Sequence, residues 1–150
     1  MNSIESNFVP YQIALDMKSI GFDEPCFGRY IYDGRGKEWF LVQTQQTKNA
    51  SVIFKGDISV DGISIAAPLY QQAFRWFRDK YELDVEIERK WRYSSNHNPT
   101  ETFIRYSIYN FKLDRESKEY ILFISKDDFN TYEEAEFECL KKLIEIVKEK

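Results

Sequence analysis

The sequence predicts an α+β fold: a mainly antiparallel sheet of about five to seven strands packed against three helices. Three observations carry that expectation. Apolar residues recur at helical spacing in two segments opened by Pro10 and Pro68, and again from Thr131 to the end of the chain. Between these segments lie runs rich in Ile, Val, Tyr, Phe and Trp, the residues that suit a pleated, half-buried surface. Polar or glycine-containing stretches punctuate those runs, as turns between antiparallel strands do. The 150 residues suit a single α+β domain spanning 1–150.

Taken in order, the first helix is expected from about Pro10 to Ile20. Tyr11, Ile13, Ala14, Met17 and Ile20 form its apolar face, and Gly21 is placed to end it with Phe22 folding back on Met17. Residues 27–32, "FGRYIY", and 38–43, "EWFLVQ", read as two strands joined by the turn "DGRGK". "SVIFK" and "ISVDGISI" supply one or two short strands, with Asp61 and Gly62 marking a turn. The second helix covers 67–81, and three strands follow at 84–93, 101–111 and 118–125, separated by "SSNHNP" and "LDRESK". The last helix opens at Thr131, where Thr131 and Glu134 have the spacing of a capping box. A faint echo, "YQIA" at 11–14 and "YQQA" at 70–73, raises the idea of a duplicated helix-plus-strands unit.

Composition narrows the function classes. The net charge of −4 and a pI near 5.2 provide no global positive field to draw the chain to nucleic acid. A hydrophobic fraction of 43% with a mean hydropathy of −0.56 describes a water-soluble globular chain. The N-terminus lacks a signal-peptide pattern, and no run approaches the ~18 apolar residues of a membrane span, so a cytoplasmic location without membrane contact is expected. Cys26 and Cys139 stand far apart outside any CxxC pattern and read as reduced, buried thiols.

The segment "APLYQQAFRWFRDKY", 66–80, mixes aromatics with basic residues, as single-strand binders do. A stacking platform needs rings and cations on one face. At about 100° per residue, Leu69, Tyr70, Ala73, Phe74, Trp76, Phe77 and Tyr81 share an arc, and Arg75 and Arg78 fall opposite. The rings therefore read as core, and the arginines as a solvated face.

The strand "VEIERKWRY" alternates Val85, Ile87, Arg89, Trp91 and Tyr93 against Glu86, Glu88, Lys90 and Arg92. Arg89 interrupts an otherwise apolar face, and with Arg105 on the next strand it makes the nearest approach to a basic groove. Arg89, Trp91, Arg92, Phe103, Arg105 and Tyr109 are accordingly the candidate binding residues. Strands 101–111 and 118–125 both carry large apolar groups on their two faces. Such a sheet is either covered twice or presents an interface to another protein or a second copy.

Catalytic constellations are absent from the pattern. His97, the single histidine, lies in a polar loop without a neighbouring nucleophile. One histidine and two separated cysteines do not make a zinc set, so no metal or cofactor is expected. Asp127 and Asp128 precede the last helix and read as favourable charges at its N-terminus. The glycines of "DGRGK" suit a hairpin rather than a phosphate loop, which would open a helix.

Three segments, "FVPYQIALDMKSIGFDEPCFGRY", "APLYQQAFRWFRDKY" and "TYEEAEFECLKKLIEIVKEK", resemble a family of small uncharacterised proteins encoded by Bacteroidetes and their tailed phages and prophages. The resemblance covers residues 8–30, 66–81 and 131–150 and leaves the strands at 31–65 and 82–126 without a counterpart. It implies a phage or mobile-element accessory protein working in a bacterial cytoplasm, and carries over no catalytic residue. The expected function is that of a non-enzymatic module that binds another protein or itself as a homodimer. The alternative is a nucleic-acid-binding protein that uses the arginines and aromatics of the 84–111 strands.

Overall fold

Helix α1 (Tyr11–Ser19) starts directly after Pro10, whose fixed φ and missing N–H suit a helix entrance. It ends as the sequence expects. Gly21 takes a positive φ of 92°, its N–H donates to the Lys18 carbonyl, and the Phe22 N–H donates to that of Met17 at 3.0 Å. This paired closure satisfies two carbonyls that a helix end leaves open and buries Phe22 and Met17 together. In the computed structural model the described residues are 4–32, 39–43, 64–113, 116–117 and 120–149. The "DGRGK" turn, the "SVIFK" strand and the Asp61–Gly62 turn lie outside them.

Among the described residues the architecture is α+β, with three α-helices and antiparallel sheets. The expected single sheet is divided. Among the described residues six strands form two three-stranded sheets, ordered β2-β1-β3 and β4-β5-β6. Alternation in a sequence tells which face a residue takes but not which strand edge receives a partner. The chain falls into two compact units, Met1–Ala73 and Phe74–Lys150, with the boundary inside helix α2 (Tyr70–Tyr81).

In the first unit, β1 (Gly28–Tyr32) is central. It pairs antiparallel with β2 (Trp39–Gln43) on one side and β3 (Ser64–Ala67) on the other. Helix α1 packs on β3 and buries Ile13, Ala14 and Met17. Tyr30 fixes the edge of this core: its hydroxyl donates to the Val9 carbonyl at 2.8 Å, and its ring meets that of Tyr11 edge-on at 5.6 Å. Cys26 is buried here, and burial together with the nearby Glu24 pushes its thiol up to about 12.

In the second unit, β4 (Leu83–Tyr93) and β5 (Pro99–Asn110) form a long hairpin, and β6 (Ile121–Ile124) adds to the far side of β5. The hairpin turn is held by the Ser94 N–H donating to the Asn98 carbonyl at 2.9 Å, with His97 at φ 59°. Helix α3 (Tyr132–Lys148) packs on β5 and β4. Its buried face of Ala135, Cys139, Leu140, Leu143 and Ile144 accompanies the buried Ile104, Tyr106 and Ile108 of β5. Thr131 caps it, the hydroxyl accepting from the Glu134 N–H at 3.2 Å, and the Glu134 carboxylate reaches back to the Asn130 N–H at 3.1 Å.

The aromatic segment that looks most like a reading device belongs to α2. Ala73, Trp76 and Phe77 are buried, Arg75 and Arg78 are exposed, and Lys80 lies 4.9 Å over the Trp76 ring. Rings and arginines are sorted to different sides, as helical spacing requires.

Candidate binding face of the second sheet

Residues directly opposite in an antiparallel pair share a face, so the register assigns sides. Val85, Ile87 and Arg89 of β4 stand opposite Ile108, Tyr106 and Ile104 of β5. This is the face that α3 covers: the Tyr106 hydroxyl donates to the Glu138 carbonyl at 3.4 Å, and the Arg89 guanidinium lies 5.9 Å over the Tyr132 ring. The other face presents Glu86, Glu88, Lys90 and Arg92 opposite Ser107, Arg105, Phe103 and Glu101.

The six candidate residues are therefore divided. Arg89 and Trp91 fall on the α3 side, Trp91 opposite Thr102 and 51% exposed. Arg92, Phe103, Arg105 and Tyr109 fall on the other. The groove expected between Arg89 and Arg105 does not form, because Arg105 stands opposite Glu88 and Arg89 opposite Ile104. One register step between neighbouring strands decides this, and alternation within each strand is silent about it.

What does converge is a ring met by two guanidiniums. Arg92 and Arg105 lie 5.1 and 4.9 Å from the Phe103 ring centre. Asp128 joins them, accepting from Arg105 Nε at 2.7 Å on one oxygen and from Arg92 on the other. Glu101 takes a further hydrogen bond from Arg92 at 2.8 Å, and Lys90 pairs with Glu88 at 2.5 Å. Each of these three cations has a carboxylate partner, so their positive charge is met at close range.

Asp128 is the residue that sequence reasoning missed. It reads as a helix-capping charge, yet Thr131 and Glu134 do the capping. Asp128 reaches the arginines because Phe129 and Ile104 exchange two backbone hydrogen bonds of 2.9 Å, which aligns this segment beside β5. Phe129 then stacks on Tyr106 on the covered side at 5.9 Å, and the preceding residue points the other way. No local motif announces such a long-range bridge.

Farther along the same face, Ile121 stands opposite Tyr109 and Ile124 opposite Ser107. Ile121, Leu122 and Ile124 are 48%, 38% and 52% exposed. Tyr109 donates its hydroxyl to Glu86 at 3.0 Å and lies 5.2 Å from the Tyr120 ring. Burial and the Glu86 carboxylate raise its ionisation above the usual phenol range, against an opposing hydrogen bond with Ser107.

Among the described residues no three His, Cys, Asp or Glu side chains are grouped to hold a metal ion, and no helix is long and apolar enough to cross a membrane. Cys139 is fully buried; burial first, and Glu136 second, hold its thiol protonated far above the usual range. His97 is exposed in the hairpin turn. No protein-family model matches the chain, and comparison with curated proteins and with solved structures finds no match either.

Proposed function

We propose that this chain is a non-enzymatic protein-binding module, an accessory protein of phage or mobile-element type that works in a bacterial cytoplasm and engages another protein or a second copy of itself. The observation that carries this reading is the exposed aliphatic set Ile121, Leu122 and Ile124 on β6, an edge strand among the described residues. Exposed apolar side chains gathered on a short edge strand favour association, and no charge on the strand itself opposes it. The adjacent Arg92–Asp128–Arg105 cluster supplies a satisfied polar rim of the kind that borders protein interfaces.

Light scattering over a dilution series and capture from a host lysate, each with the wild type and Ile124→Lys, test the reading. A dimer or a retained partner that disappears in Ile124→Lys, with unchanged thermal unfolding, supports it. A strict monomer that retains nothing, or equal retention by the variant, overturns it.

The nucleic-acid alternative draws on Phe103 flanked by Arg92 and Arg105, an arrangement able to stack a base. Asp128 and Glu101 weigh against it, since phosphate would have to displace carboxylates already in place. Titration with single- and double-stranded oligonucleotides at several salt concentrations decides: binding at low salt that falls steeply with added salt favours the alternative, and no binding at low salt removes it.

A further inference from the structure

An open groove of about 490 Å³ lies on the second sheet, lined by Asp84, Val85, Glu86, Tyr109 and Tyr120. Its walls are two phenol rings at 5.2 Å with a 40° tilt between their planes, and two carboxylates from β4. The Glu86 carboxylate is held by the Tyr109 hydroxyl, and the Asp84 carboxylate accepts from the Val85 N–H at 3.0 Å and lies 3.7 Å from Arg78, with the Asp84 and Arg78 side chains nearly half exposed. Aromatic faces and carboxylates together attract cations, because the ring quadrupole and the formal charge act in the same direction.

Elsewhere on this unit the chain supplies its own cations to several of its rings. Lys80 covers Trp76 and Tyr81, Arg89 covers Tyr132, Arg92 and Arg105 cover Phe103, and Lys142 covers Phe123. Among the described residues none does so for Tyr109 or Tyr120. The nearby cations on the same face are already committed, Lys90 to Glu88 and Arg105 to Asp128. Ile121, opposite Tyr109, makes the groove continuous with the exposed aliphatics of β6.

We propose that this groove receives the ammonium or guanidinium head of a lysine or arginine side chain carried by the protein partner, with apolar neighbours of that residue resting on Ile121 and Ile124. The assignment rests on the protein-binding reading above and names the chemistry of the partner. Tyr109 and Tyr120 bind the cation on their faces, Glu86 is aimed by the Tyr109 hydroxyl, and Asp84 contributes charge from the adjacent strand position.

The test is an NMR titration of the full chain, following the ring signals of Tyr109 and Tyr120. The probes are N-acetyl-lysine N-methylamide, its uncharged norleucine counterpart, and the free diamine putrescine. Saturable shifts with the lysyl probe and none with the norleucine probe are expected. Tyr120→Leu, checked for an otherwise unchanged backbone spectrum, should weaken the lysyl probe by about two- to fivefold, the range of a cation–aromatic contact at an exposed site. Equal shifts from the norleucine probe, unchanged affinity in Tyr120→Leu, or tighter binding of putrescine than of the lysyl probe each overturn the proposal. Rings silent to the lysyl probe while a partner is still captured overturn the groove and leave the β6 surface standing. Ring shifts with no partner or dimer detected overturn the protein-binding reading and leave the cation site standing.

Discussion

The two faces of the β4–β5–β6 sheet are drawn from alternate residues of the same strands, yet they meet their chemistry in different ways. On the α3 side, Ile104, Tyr106 and Ile108 are buried against a helix whose own apolar face matches them. On the other side, Phe103 is met by two guanidiniums, each of these cations has a carboxylate partner, and Ile121 and Ile124 remain about half exposed. The covered face derives its stability from removal of apolar surface from water, about 25 cal/mol per Å². The other face has only partly screened charge pairs and stacking, which contribute far less each. Stability is thus concentrated on one side of the sheet, and the recognition proposed above falls to the other.

Truncation of matched positions breaks the comparison most directly. Ile108→Ala should destabilise the fold by about 2–5 kcal/mol through lost burial and a residual cavity. Ile124→Ala should change it by less than about 0.5 kcal/mol, as exposed sites do. Denaturant unfolding of both variants checks this, and equal losses would show that the second face is as structural as the first.

Alkaline pH provides the next largest effect. Cys139 lies in the α3 core with its thiol held protonated well above its ordinary value of 9.0. In the unfolded chain the thiol ionises above 9.0, so the unfolded state then binds fewer protons than the native state and stability falls as pH rises. The stabilisation is fully present below that value, and its loss above it is at most about 1.4 kcal/mol per pH unit from this group. Unfolding followed from pH 8 to 10.5 should show the decline, reduced in Cys139→Ala after correction for that variant's lower baseline. Native protein at pH 8 should leave both thiols unreactive toward a disulfide reagent, since the thiolate is the reactive form.

The smallest effect sharpens what the second face is for. Asp128→Asn removes one carboxylate from between two arginines and should cost about 1 kcal/mol or less, because the pair is partly exposed. The informative readout is oligonucleotide binding at low salt. Weak binding that emerges in Asp128→Asn and is absent in the wild type would identify the carboxylate as the group that keeps this ring-and-guanidinium cluster from phosphate.

Much of the fold is legible in the residues themselves. Proline at the entrance and glycine past the end delimit α1, Thr131 and Glu134 announce α3, and alternation in "VEIERKWRY" separates Val85, Ile87 and Arg89 from Glu86, Glu88 and Lys90. Those signals are local: caps need three or four neighbours, and a strand's sidedness needs only its own period. The candidate set was legible only in part. Phe103, Arg105, Tyr109 and Arg92 do share a face, but Arg89 and Trp91 belong to the other, and Asp128 arrives from outside the hairpin altogether.

By itself, then, the sequence determined the helices, the faces of β4 and β5 and the burial of Trp76 and Phe77 in α2, because each follows from periodicity along one segment. Tertiary structure decided that the strands form two sheets, that Arg105 meets Asp128 rather than Arg89, and that Tyr109 and Tyr120 make a groove beside exposed isoleucines. Those outcomes depend on which backbone edges exchange hydrogen bonds across tens of residues, and the period of a single strand holds no record of its partner's register.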